Sequence, residues 1–189
     1  MQKGWSVLVA LLLAVSFASA AGSSGSNLGP DEASTPFKEH EATTPSVSGE
    51  VWELTVVLDD EAVANGSTMS LTTQICTNDG VCDPPVPQEA TVSEDGSTYF
   101  ISLTPPADHT YVNWRATVEW ADGNSSSFPQ GDWYKVWSSC WYDGTDWGGP
   151  DAEGEGCAEE KESPGPGLIV AAVAVAGAAM AVASASRRE

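Results

Sequence analysis

The chain has 189 residues, room for one domain of about 100 to 150 residues with flanking segments but not comfortably for two. Its 27 acidic side chains against 7 basic ones give a formal net charge of -20. Neutralising phosphates needs clustered Lys and Arg, and the sequence has no such cluster, which argues against nucleic acid as a partner.

Residues 1–20 read as an export signal. Lys3 supplies the positive start, Val7 to Val15 the apolar stretch, and Ala18-Ser19-Ala20 the small residues that a signal peptidase reads. Residues 21–49 follow as a linker expected to be disordered. Ser, Thr, Pro and Gly make up 16 of its 29 residues, too little apolar surface to offset the entropy of ordering.

The expected folded unit is residues 50–149, where apolar and polar side chains alternate with period two. Trp52, Leu54, Val56 and Leu58 share one face of a first run, and Met69, Leu71, Thr73 and Ile75 one face of a second. Tyr99, Ile101 and Leu103 form a third. The clearest run is Tyr111 to Trp120, with Val112, Trp114, Ala116, Val118 and Trp120 on one side and Asn113, Arg115, Thr117 and Glu119 on the other. Turn signals separate the runs at Asn65-Gly66, Asn78-Asp79-Gly80, Asp95-Gly96 and Asp122-Gly123. No segment carries a helical period. The pattern predicts an all-β domain, an antiparallel β-sandwich.

Two segments follow the domain. Residues 150–167 form an acidic Gly/Pro spacer with six carboxylates. Residues 168–186 are 19 uncharged residues that would span roughly 28 Å as a helix, enough for a hydrocarbon core. Arg187 and Arg188 in the tail 187–189 would stay cytoplasmic, leaving the domain outside the cell.

Two resemblances add to this. Ser163-Pro164-Gly165-Pro166-Gly167, the small-residue-rich apolar stretch and Arg187-Arg188 resemble the C-terminal sorting tails of archaeal surface proteins handled by archaeosortase-type enzymes. That likeness implies cleavage near the Pro-Gly motif and attachment to lipid, although the sequence reads Pro-Gly-Pro-Gly-Leu where the family has Pro-Gly-Phe. Leu103-Thr104-Pro105, then Tyr111 to Ala116 and a Gly turn, resembles the E to F corner of fibronectin type III domains. It implies an immunoglobulin-like sandwich in which Tyr111 hydrogen-bonds back across the corner.

Four cysteines in an exported chain imply disulfides, and Cys76 with Cys82 and Cys140 with Cys157 is the expected pairing. A four-cysteine zinc site would want shorter intervals. Asp59-Asp60-Glu61 and Asp143-Gly144-Thr145-Asp146 place hard oxygens close together, so Asp59, Asp60, Asp143 and Asp146 are weak calcium candidates. Asn65 and Asn124 head N-glycosylation acceptor triplets in predicted turns. No nucleophile motif is present, and His40 and His109 stand outside any recognisable catalytic pattern.

Of eight tryptophans, seven lie between Trp52 and Trp147. Trp133, Trp137 and Trp141, interleaved with Tyr134 and Tyr142, would form a row on one strand face with neighbours about 13 Å apart. The row either fills the core or forms an exposed stacking platform for a glycan or protein ligand. Lys135 shares its face, and in the exposed arrangement Tyr134, Val136, Ser138 and Cys140 would be the buried side. The sequence thus points to a membrane-anchored, glycosylated surface protein with a non-catalytic binding or adhesion domain. A structural envelope component is the alternative, and an exported hydrolase with paired carboxylates the second.

Overall fold

The computed structural model describes residues 23–158. The expected export signal, residues 159–167 of the spacer, the apolar segment 168–186 and the tail 187–189 lie outside the described residues. Among those described, no helix is long and apolar enough to cross a membrane.

Eleven strands and one helical turn follow in chain order among the described residues. They are β1 (Phe37–Ala42), β2 (Trp52–Leu58), α1 (Asp60–Ala64), β3 (Thr68–Thr77), β4 (Val86–Gln88), β5 (Thr91–Val92), β6 (Thr98–Leu103), β7 (His109–Glu119), β8 (Ser125–Phe128), β9 (Tyr134–Trp137), β10 (Trp141–Tyr142) and β11 (Trp147–Gly148). The fold is all-β, and every strand pair is antiparallel. One sheet runs β1-β2-β6-β5. The other runs β4-β3-β7, with β8 and β9 dividing the far edge of β7 between them. β8 pairs with Ala116 to Glu119 and β9 with Tyr111 to Trp114. β10 and β11 make a separate small hairpin.

Alternation decides which side of each strand is buried. Trp52, Leu54, Val56 and Leu58 of β2 have no exposed surface, whereas Glu53 between them is exposed. On β7, Val112, Trp114, Ala116 and Val118 point inward the same way. These faces meet in one hydrophobic cluster with Leu71, Ile101 and Val136, giving a sandwich-like arrangement. Each large apolar side chain buried there contributes about 1.5 to 3 kcal/mol. The Tyr99 hydroxyl accepts from the Met69 N–H at 3.1 Å, linking β6 of one sheet to β3 of the other. At the β7–β8 turn Gly123 has φ +84, a conformation that a side chain would strain.

The ordered unit is larger than residues 50–149. The stretch 21–49, expected as a disordered linker, is part of the domain from residue 23. β1 pairs with β2, and Phe37 is 1% exposed with its ring edge-on to Phe128 at 5.4 Å. Leu28 exchanges two backbone hydrogen bonds of 2.9 Å with Lys135, and Ser46 accepts from the Ser139 N–H at 2.8 Å. Composition misleads here because backbone pairing to an open strand edge needs few apolar side chains. Residues 150–158 of the acidic spacer are also ordered, the Asp151 N–H donating to the Ser139 carbonyl at 2.8 Å. Gly149 is the point of closest approach, where any side chain would collide with the Ser139 carbonyl. The single helical turn α1, which carries no helical period, is held by the Asp59 carboxylate accepting from the Ala62 N–H at 2.7 Å.

Both disulfides join the cysteines expected, Cys76 to Cys82 and Cys140 to Cys157. The resemblance to the fibronectin corner does not carry over to Tyr111. Its ring lies on the outer face of β7, and its hydroxyl is 4.0 Å from the Cys82 sulfur. The two crosslinks close loops of unequal length, with sequence separations of 6 and 17. Replacing Cys140 and Cys157 by serine should therefore cost about 3 kcal/mol of stability, and replacing Cys76 and Cys82 about 2 kcal/mol. Urea midpoints of the two double variants test the order.

Candidate functional site

The outward-facing side of the β3-β7-β9 sheet gathers aromatic and cationic side chains. Because β7 and β9 are in register, Tyr111 lies opposite Trp137 and Asn113 opposite Lys135. Across the other edge of β7, Cys76 lies opposite Tyr111, Gln74 opposite Asn113 and Thr72 opposite Arg115. The Lys135 ammonium sits over the Tyr111 ring, 4.1 Å from its centroid, and 5.4 Å from that of Trp137. The Arg115 guanidinium covers Trp133 at 4.4 Å. Burial among these rings pushes the Lys135 ammonium pKa down, with Asp132 pulling the other way.

The aromatic group continues past β9. After Trp137 the chain leaves the strand, so Trp141 returns to meet Trp137 edge-on at 4.9 Å. Tyr142 and Trp147, facing each other across the β10–β11 hairpin, pack at 5.2 Å. Between this hairpin, the turn after β3 and the outer face of β7 and β9 lies an open cleft of about 430 Å³. Tyr111, Trp137, Tyr142 and Lys135 line it together with Asn78, Asp79 and Asp143. The Asn78 Oδ1 accepts from the Tyr142 N–H at 2.8 Å and from the Thr110 hydroxyl at 3.0 Å, fixing the hairpin against β7.

An N-terminal arm lies against the aromatic side of the cleft. The Ser26 carbonyl accepts from the Trp137 indole N–H at 3.0 Å, and the Asn27 Oδ1 from the Trp137 backbone N–H at 2.9 Å. Gly25 packs on Trp141, where an added Cβ would come within 2.8 Å of the ring. The Ser24 hydroxyl donates to Asp143 at 2.6 Å.

The residues singled out from sequence therefore have different fates. Trp133 and Trp137 do flank Lys135 on the outer face, but the evenly spaced row ending in Trp141 does not form, because the strand stops at Trp137. Trp137 is only 7% exposed, covered by the arm, whereas Trp133, Trp141 and Tyr142 are half-buried. Tyr134 does not belong to the site. Its ring is in the core against Trp114 at 4.6 Å, and burial pushes its phenol up to about 12. Sequence reasoning assigned Tyr111 to the corner and set Lys135 on the face of the tryptophan row, but did not bring Arg115 beside it. The alternation of β7 already set Arg115 outward.

The calcium candidates do not converge. Asp59 caps α1 and Asp60 pairs with Lys38 at 2.8 Å. Asp143 accepts from the backbone of Thr145 and Asp146 at 2.9 Å each. Among the described residues, no three His, Cys, Asp or Glu side chains gather to hold a metal. Asn65 ends α1 and Asn124 sits in the β7–β8 turn, both exposed.

His109 is fully buried at the end of β7. Its Nδ1 donates to the Pro106 carbonyl at 3.1 Å, which leaves Nε2 to accept from the Ser46 hydroxyl at 2.8 Å. This Ser–His contact is sealed, Ser46 having no exposed surface, so it ties the 43–49 connection to the sandwich and is closed to a substrate. The chain matches no protein-family model and no curated protein.

Burial lowers the His109 pKa below its ordinary value of about 6.5. The neutral form is thus favoured by folding. Both states are neutral above about pH 6.5, and below it the unfolded chain takes up the proton first, so stability falls as pH falls. Urea midpoints measured between pH 7.5 and pH 5 should drop, and His109→Asn should flatten that drop while lowering the midpoint at pH 7.5.

Proposed function

We propose that this chain is a non-catalytic binding or adhesion module displayed at the cell surface and held at the membrane through its C-terminal segment. The observation that carries the reading is the set of aromatic rings on the outer face of a sheet, around a cleft that also offers charged and amide groups. Half-buried rings with polar groups at their margin suit a sugar or a protein side chain. Asp79 and Asp143, at the polar side of the cleft, would accept hydroxyl groups of a glycan.

The same two carboxylates argue against hydrolysis. A glycosidase needs one carboxyl held protonated by its surroundings. Here both are pulled below the usual carboxylate range, Asp79 first by the Thr77 hydroxyl and Asp143 first by the Asp146 N–H. A structural envelope role is the second reading, favoured by one observation: the arm already covers most of Trp137. Exposed Asn65 and Asn124 suit glycosylation of an exported protein.

Under the first reading, Tyr142→Ala should weaken glycan binding by about tenfold or more while moving the unfolding midpoint little. Tryptophan emission of the whole protein, titrated with a panel of polysaccharides, tests this. Emission indifferent to every polysaccharide and protected from acrylamide would remove the glycan reading and favour the envelope role.

A further inference from the structure

Resting on that reading, we infer that the ligand of this face is an anionic sugar polymer, its acid groups held by Lys135 and Arg115 and its rings laid on the neighbouring aromatic side chains. Lys38, Arg115 and Lys135 are the three Lys and Arg side chains of residues 23–158. Among the described residues only Lys38 forms an ion pair. In a chain with 27 acidic side chains, a surface cation left to chance meets a carboxylate. Arg115 and Lys135 instead share one sheet face and are held over rings.

The register explains how they come together. Lys135 is opposite Asn113, and Arg115 is two residues further along β7 on the same face. Such diagonal neighbours have Cα atoms about 7 to 8 Å apart. The ammonium leans toward Tyr111 and the guanidinium toward Trp133, so the two charges offer separate contacts spread along the sheet. Two spaced cations with flanking rings suit a repeating acid better than a single small anion.

Two further features fit. The half-buried Lys135 ammonium, with Asp132 nearby but no carboxylate in ion-pair contact among the described residues, gains from a ligand that supplies one. The acid groups belong at the Lys135 and Arg115 end, because Asp79 and Asp143 would repel them at the other.

The test titrates the whole protein with oligogalacturonate, with its uncharged methyl ester and with a sulfated galactan. Oligogalacturonate should bind at least about tenfold more tightly than its ester. Lys135→Gln and Arg115→Gln should each erase most of that difference without changing affinity for the ester, and Lys135→Arg should restore it. Unchanged unfolding midpoints would show that the variants are folded. Equal affinity for acid and ester, still lost on Tyr142→Ala, would overturn this inference while leaving the binding module intact. Tight binding to the sulfated galactan alone would keep the anionic site but reassign its acid to sulfate. No binding to any of the three would overturn this inference, and the wider polysaccharide panel then decides the binding module separately.

Discussion

The alternation of β7 is the constraint on which the rest of the molecule depends. This strand of 11 residues pairs with β3 along its length and still offers its other edge to β8 and β9. One of its faces supplies Val112, Trp114, Ala116 and Val118 to the core, and the other presents Tyr111, Asn113 and Arg115 outward. A slip of one residue in its register would exchange these two sets. The stability of the sandwich and the makeup of the candidate site are therefore the same fact seen from two sides.

The edges of the two sheets are closed by different means. The outer edge of β9 is occupied by Leu28 and Ser46, so the stretch before β2 acts as a cover for a strand that would otherwise be open. At the far side of that sheet, β4 carries Pro87 opposite Thr72 and is preceded by Pro84 and Pro85. Proline has no N–H to offer a further strand, which blunts edge-to-edge growth even though Val86 is exposed. A domain with so few cations depends on such devices, because its repulsive charge weakens at high salt.

The core and the crosslinks were legible in the sequence, and the reason is local. Period two over Trp52 to Leu58 or Val112 to Val118 needs no knowledge of partners, and the intervals between the four cysteines already suggested the two pairs. What stayed hidden depends on distant pairing. Nothing within residues 23–49 announces that Leu28 will meet Lys135 or that Asn27 will cap Trp137. Trp141 likewise reaches Trp137 only because the chain bends after Ser138 and closes on itself through Cys157. The opposite faces of Trp133 and Tyr134, by contrast, already followed from alternation, which offered Tyr134 as the buried side. Charge counts found the scarcity of Lys and Arg, but only the register puts Arg115 and Lys135 side by side.

The Cys140–Cys157 bond also decides how the domain would respond to being pulled. Tension applied to the chain beyond Cys157 crosses directly to Cys140, leaving the 16 residues between them slack. Drawn out, that segment would yield roughly 55 Å of extra length, which the bridge withholds. Tyr142, Asp143 and Trp147 all belong to it. One wall of the cleft is thereby shielded from stretching, and the load passes instead through Cys140 to the chain that continues from β9.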